Sequence, residues 1–162
     1  MSHDNLFKSC DHYVEEFELV EKKPITEGKG PYFTGVDLGT AYIVLVVTDE
    51  RIVAGAHRSA SVVRDGMVVD YIGAVQIVRE LKEEIEHQLD TELVFASAAI
   101  PPGTDLLDGG AIKNVVQSAG FELTAILDEP TAANTIVGMK DGAIVDIGGG
   151  TTGISIVKNG EV

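Results

Sequence analysis

Apolar residues change their period several times along the chain, and each change marks an element. Leu6, Cys10, Val14 and Phe17 recur at helical spacing with acids filling the other side, until Lys22-Lys23-Pro24 ends the pattern. This predicts a short amphipathic helix lying on its own domain, with docking on a partner or shell surface as the alternative. Residues 28–31 read as a linker. Gly35-Val36-Asp37-Leu38 then breaks at Gly39-Thr40-Ala41 and resumes as Tyr42-Ile43-Val44-Leu45-Val46-Val47, two strands around a corner. A third strand is expected at 51–56 after Asp49-Glu50, and Arg64-Asp65-Gly66 reads as a turn inside 62–69.

Behind Asp70, the residues Ile72, Val75, Val78, Leu81 or Lys82, Ile85 and Leu89 fall on one stripe, with Glu80, Glu83, Glu84 and Glu86 outside it as a solvated face. A buried strand over 92–100 is closed by Pro101-Pro102-Gly103, and a helix over 111–118 ends at Gly120. A strand over 122–127 leads into a helix capped by Asp128, with Pro130 in its first turn. Ala143-Ile144-Val145 and Ile154-Ser155-Ile156-Val157 make a last hairpin. The order predicts an α/β sheet whose first three strands are antiparallel and whose later strands join in parallel through helical crossovers.

The chemistry gathers at the two hairpin corners. Asp146-Ile147-Gly148-Gly149-Gly150-Thr151-Thr152-Gly153 removes every Cβ from three successive positions, so backbone N–H groups can approach an anion closely. Asp146, at the start of the corner, is placed to hold a hydrated Mg²⁺ bridging phosphate oxygens, and the two threonines add hydroxyl donors. The octet satisfies G-x-G-x-x-G, but a strand pattern follows where a dinucleotide fingerprint requires a helix. No Gly-Lys-Ser or Gly-Lys-Thr supplies a Walker loop. An isolated glycine corner is as readily a plain turn. The first hairpin repeats the arrangement, however, with Asp37 before Gly39-Thr40, as in an internal duplication. Two such corners could pinch one triphosphate around a shared metal.

Composition narrows the partners. Twelve basic against 26 acidic side chains leave a formal charge of −14, which repels nucleic acid and anionic membrane. A content of 44% hydrophobic residues suffices for a core, yet no apolar run approaches the ~18 residues of a membrane span. The single cysteine, Cys10, and the charged start Asp4, Lys8 and Asp11 predict a reducing, cytoplasmic setting. His3, His12, His57 and His87 are scattered, and no Ser/His/Asp triad is evident.

Gly35 to Thr40, Asp128-Glu129-Pro130-Thr131-Ala132-Ala133 and Asp146 to Thr151 resemble the first phosphate loop, connecting helix and second phosphate loop of the actin, hexokinase and heat-shock-chaperone ATPase superfamily. Val63-Arg64-Asp65-Gly66, Pro101 to Asp105 and Leu127 to Ala132 extend the resemblance to the chaperone-like family of ethanolamine-utilisation operons. The stretch from Arg64 to Tyr71 also resembles the equivalent link of bacterial actin-like proteins. The resemblance implies a ribonuclease H-like, actin-like ATPase lobe over 32–140, behind a leader at 1–31 and before the opening hairpin of an incomplete second lobe at 141–162. It implies ATP and Mg²⁺ as ligands. Asp37 and Asp146 would hold the hydrated metal, while Gly39, Thr40, Ala41, Gly148, Gly149, Gly150, Thr151 and Thr152 would form the nucleotide-binding loops. Glu129 would orient the attacking water, with Asp146 and Thr151 completing the catalytic set.

Two departures leave slow hydrolysis and binding without turnover both open. No lysine lies between Lys29 and Lys82 to match the catalytic lysine of heat-shock chaperones, and Ala41 stands where a second threonine often does. Without a second lobe's adenosine pocket, nucleotide affinity is expected to be weak. The hairpin at 143–162 is expected to be disordered or covered by another copy of the chain. The implied function is an ATP-binding chaperone-like or enzyme-reactivating protein of ethanolamine catabolism, acting on a protein client such as a catabolic enzyme or a microcompartment component. A nucleotide-gated actin-like scaffold or filament is the alternative. A small-metabolite kinase is disfavoured, because no catalytic base for a metabolite hydroxyl can be assigned.

Overall fold

A computed structural model describes the backbone of residues 3–101, 106–150 and 152–162, and the side chains of these except 3–9 and 106–109. Residues 1–2, 102–105 and Thr151 lie outside the described residues. Strands β1 (Phe33–Leu38), β2 (Tyr42–Thr48), β3 (Ile52–Ser59), β6 (Phe95–Ile100) and β7 (Glu122–Asp128) form one sheet in the order β3-β2-β1-β6-β7. The first three pair antiparallel, and β6 and β7 add in parallel. The crossovers are α2 (Tyr71–Leu89) and α3 (Leu106–Ser118). Between β3 and α2 sits a small hairpin of β4 (Val63–Arg64) and β5 (Met67–Val68). After α4 (Glu129–Val137), β8 (Asp141–Ile147) and β9 (Thr152–Lys158) make a separate two-stranded sheet.

Strand alternation builds the core. Val36 and Leu38 of β1, Ile43, Leu45 and Val47 of β2, and Ala96, Ala98 and Ile100 of β6 turn to one face and are buried. Against them pack Val78, Leu81 and Ile85 of α2 and Ile112, Val115 and Val116 of α3. Asp70 caps α2 by accepting from Gly73 N–H at 2.9 Å. Ile72 does not join the buried stripe and is 78% exposed. At 100° per residue it lies roughly 120° from the axis through Val78, while the buried positions stay within about 60°. The acid run is not uniformly solvated either. Glu80 and Glu84 receive Arg58 of β3 at 2.6 and 3.3 Å, and Glu86 takes both Lys82 and the N–H of Leu93. That capture holds residues 90–94 in a loop, so β6 begins at Phe95 rather than at 92.

Helix α1 (His3–Lys22) lies against β3, on the other side of the sheet. A Cβ on Gly55 would meet the Phe17 ring at 2.4 Å, and Val20 is buried. Val14, expected on the same stripe, is 60% exposed. The described helix is sheltered chiefly in its last turns, through Glu16, Phe17, Val20 and Glu21. His57 of β3 bonds Glu21 there. No helix among the described residues is long and apolar enough to cross a membrane.

Candidate functional site

Parallel strands deliver their loops to one end of a sheet, and ligands of open α/β folds bind outside those carboxyl ends. Here Asp37, near the end of β1, pairs with Ala99 of β6 and Val44 of β2, and all three line a cleft of about 550 Å³. Leu38, Gly39, Thr40 and Ala41 form one wall. Asp146, Gly148 and Gly149 of the second corner form another, and Glu129, Pro130, Ala132 and Ala133 of α4 the floor. Asp128 caps α4, accepting from Thr131 N–H at 2.9 Å and from the Thr131 hydroxyl at 2.6 Å, which places Glu129 in the first turn at the cleft.

The corners touch. A Cβ on Gly149 would stand 2.5 Å from the Ala41 Cβ, and one on Gly150 would stand 2.7 Å from the Thr40 Cγ2. Glycine is thus required by close approach at both positions. The first corner is braced within the large sheet, where the Ala41 carbonyl accepts from Ala60 N–H at 3.0 Å. The second rides on β8–β9, which Asn134 of α4 ties down. Its amide nitrogen donates to Met139 O at 3.1 Å and Gly160 O at 3.2 Å, and its oxygen accepts from Met139 N–H at 2.9 Å. Asn134 is buried, and no local sequence pattern pointed to it, because its partners lie 5 and 26 residues away.

Three carboxyl groups share the cleft. Burial raises the pKa of Asp37, and the charge of Asp146 adds to the rise. Glu129 is pushed up to about 7, first by desolvation, then by the hydrogen bond its protonated carboxyl donates to Asp146, then by the charges of Asp37, Asp146 and Asp128. Crowded anions of this kind favour a cation between them. Among the described residues no group of three or more His, Cys, Asp or Glu is placed to hold a metal ion directly. Thr152 opens β9 opposite Ile147, on the face turned away from Asp146, and does not line the cleft. The sequence pattern had included it among the donors because it gave no register. Thr151 lies outside the described residues.

Seven residue pairs join β8 to β9, and their outer face exposes Val145, Ile147, Ile154 and Ile156. The inner face holds Val157, 2% exposed, and Ser155.

This is the lobe of an actin-like ATPase fold, and the match of residues 60–161 to Hsp70 protein shows that the chain belongs to the Hsp70 family. Within that class it is similar to ethanolamine utilization protein EutJ. It is 46% identical to the Salmonella typhimurium protein over 164 residues, covering 100% of this chain and 57% of that one. It superimposes on the crystal structure of EutJ from Carboxydothermus hydrogenoformans with a TM-score of 0.88 at 49% identity, over 97% of this chain and 58% of that chain. MreB5 of Spiroplasma citri, solved bound to AMPPNP, shares the fold at a TM-score of 0.66 and 22% identity, over 83% of this chain and 51% of that one. The chain spans about half the length of the EutJ relatives it matches.

Proposed function

We propose that this chain carries the phosphate-holding part of an ATP-binding, chaperone-like protein of ethanolamine utilization. The observation that carries the reading is the direct meeting of the two Asp-Gly corners, Gly149 on Ala41 and Gly150 on Thr40, with Asp37, Glu129 and Asp146 around one cleft. Membership of the Hsp70 family and the likeness to EutJ support it.

In this reading the amides around Gly39 and Gly148–Gly150, with the Thr40 hydroxyl, bind β- and γ-phosphate. Asp37 and Asp146 hold the waters of a Mg²⁺ that neutralises phosphate charge. Thr151 approaches the γ-phosphate, and Thr152 contributes through its main chain. Glu129, titrating near neutrality, accepts a hydrogen bond from a water in its ionised form and orients it. Such chemistry is mostly positioning and charge neutralisation. The client is a protein, an ethanolamine-catabolic enzyme or a microcompartment component, met in the cytoplasm or at the microcompartment.

Calorimetric titration of Mg·ATP into the wild type, Asp37→Asn and Asp146→Asn tests the site. Saturable binding lost in both variants is expected, and equal heats in all three chains refute it. A second reading, a nucleotide-gated scaffold or filament, draws on the exposed Val145, Ile147, Ile154 and Ile156, through which residues 143–162 would self-associate. Sedimentation with and without ATP separates the two, because only a scaffold changes mass with nucleotide.

A further inference from the structure

A different surface carries an interaction of its own. The turn of the β4–β5 hairpin is Asp65-Gly66, at φ 51° and 76°, a pair of left-handed residues that closes a two-residue hairpin tightly. With only two pairs, Val63 with Val68 and Arg64 with Met67, the hairpin sends one set of residues inward and the other out. Val63 is buried and Val68 packs on the core, while Met67 and Val69 are 57% and 54% exposed. The Asp70 cap then starts α2 with Tyr71 and Ile72 outside, at 42% and 78%. Four large apolar side chains within six residues thus meet solvent together. Scattered apolar residues are ordinary on a surface, whereas a contiguous set calls for a partner.

The set is held rigidly. Val69 and Asp70 N–H both donate to Val62 O, at 2.8 and 3.2 Å. The Tyr71 hydroxyl donates to Asn114 O at 3.2 Å and lies 2.8 Å from Ser118 Oγ, so its ring bridges α2 and α3. A display fixed in advance loses little entropy on binding.

We propose that Met67, Val69, Tyr71 and Ile72 form a docking surface for a partner protein segment that presents apolar anchors flanked by lysine or arginine. Charge selects this occupant over a second copy. Each chain carries −14, so self-pairing sets two acidic bodies against one another. Asp65 and Asp70 flank the apolar set and Glu83 lies exposed farther along α2 on the stripe that starts at Ile72, while Arg64 on the hairpin and Arg79 on that stripe, which donates to Ser118 O, are the opposing charges. The surface adjoins the cleft, since Gly66 and Val63 of the same hairpin line it and a Cβ on Gly66 would meet Pro101 at 3.1 Å.

The test uses a labelled synthetic helix of about 18 residues with leucines at i, i+3, i+4 and i+7 and lysines elsewhere, and a second peptide of the same composition whose leucines form no face. Fluorescence anisotropy with the whole chain should show the faced peptide binding in preference to the scrambled one. Met67→Ser/Val69→Ser/Ile72→Ser should weaken it by about thirtyfold, as loss of central apolar anchors does, with circular dichroism unchanged. Ile72→Ser alone, at a solvent-exposed position, keeps the fold and should still weaken binding severalfold. Equal affinity for both peptides, or for wild type and variants, would mean that only the acidic field attracts them and would overturn the proposal. So would a wild-type dimer in sedimentation that the triple variant abolishes, since the occupant would then be a second copy.

Discussion

The two glycine corners begin alike in sequence and end in unlike surroundings. Gly39-Thr40-Ala41 joins two strands that lie inside a five-stranded sheet, paired on both sides, and is tied to the end of β3 through Ala60. Gly148-Gly149-Gly150 tips a two-stranded sheet whose described glycines are all exposed. One corner is placed by the core of the large sheet, and the other by the buried inner face of its own hairpin at Val157 and Ser155, by the Asn134 tether and by its contact with the first. Stability should therefore reside at the first corner and adjustability at the second.

The largest effect should come from forcing the corners apart. Gly149→Val puts side-chain atoms where Ala41 already stands, with no flexible neighbour to move aside. Because misplacement of a positioned group by about 1 Å can cost two decades, Mg·ATP binding should fall about 100-fold while the thermal midpoint holds. Gly39→Ala should behave in the opposite way. Its Cβ would stand 2.8 Å from the Tyr42 carbonyl, a backbone atom inside the sheet. Overpacking of that kind costs ~1–3 kcal/mol, or about 3–10 °C in Tm. Calorimetry and thermal denaturation on the pair decide the matter, and identical profiles would dissolve the distinction between the corners.

Next in size is the tether. Asn134→Leu leaves the Met139 N–H and two carbonyls without their side-chain partner. A fully buried group so stranded costs ~1–3 kcal/mol, and the cost here is smaller because Met139 is half-buried and Gly160 is exposed to water. Hydrogen exchange of β8 and β9 amides should accelerate about tenfold or more, with β1, β2 and β6 unchanged, because local opening and global unfolding are separate events. Uniform acceleration across both sheets would show that the hairpin and the lobe open as one unit.

These contrasts explain what could be read along the chain. The caps at Asp70 and Asp128, the turn at Asp65-Gly66 and the helix-ending glycine at Gly120 are local devices, satisfied within a few residues, and so they are visible as text. The phase of a helix is less visible. Val14 and Ile72 fit a spacing rule within tolerance, yet each lies off the sheltered face, which depends on where the sheet stands. Asn134 was illegible because its bonds reach to residues 139 and 160 across a turn and a whole hairpin. The contact between Ala41 and Gly149 was legible only as a repeated motif, since 108 positions of chain separate residues that touch.

A smaller effect, shared by both corners, follows from the carboxyl groups between them. The Glu129 pKa is raised from 4.5 to about 7 in the folded chain, and Asp37 is raised as well. A group that binds its proton more tightly when folded adds stability at low pH and loses that contribution as pH climbs through the folded pKa. Stability should therefore decline between about pH 4.5 and about pH 7. The slope should be shallow, because Glu129 is partly exposed and solvent screens it. Glu129→Gln should flatten the decline, leaving the portion due to Asp37, and Mg²⁺ should flatten it in the wild type by neutralising the cluster. Urea unfolding at a series of pH values reads all three, and a wild-type slope of the opposite sign would remove the carboxyl cluster from the account.

The smallest expected effect is the most discriminating for strand register. Thr152 has the hydroxyl of a phosphate donor and adjoins the glycine corner, yet it pairs with Ile147 and shares that residue's outward face. Side chains of adjacent strand residues point to opposite faces, so Gly153 and Asp146 look toward the cleft while Thr152 looks away. Thr152→Val keeps shape and β propensity and deletes only the hydroxyl. Mg·ATP affinity should stay within about twofold of wild type, since nothing that reaches the ligand has changed. A loss comparable to that of Gly149→Val would mean that the hairpin runs one residue out of this register when nucleotide is bound, because a slip of one position exchanges the faces of every side chain it carries.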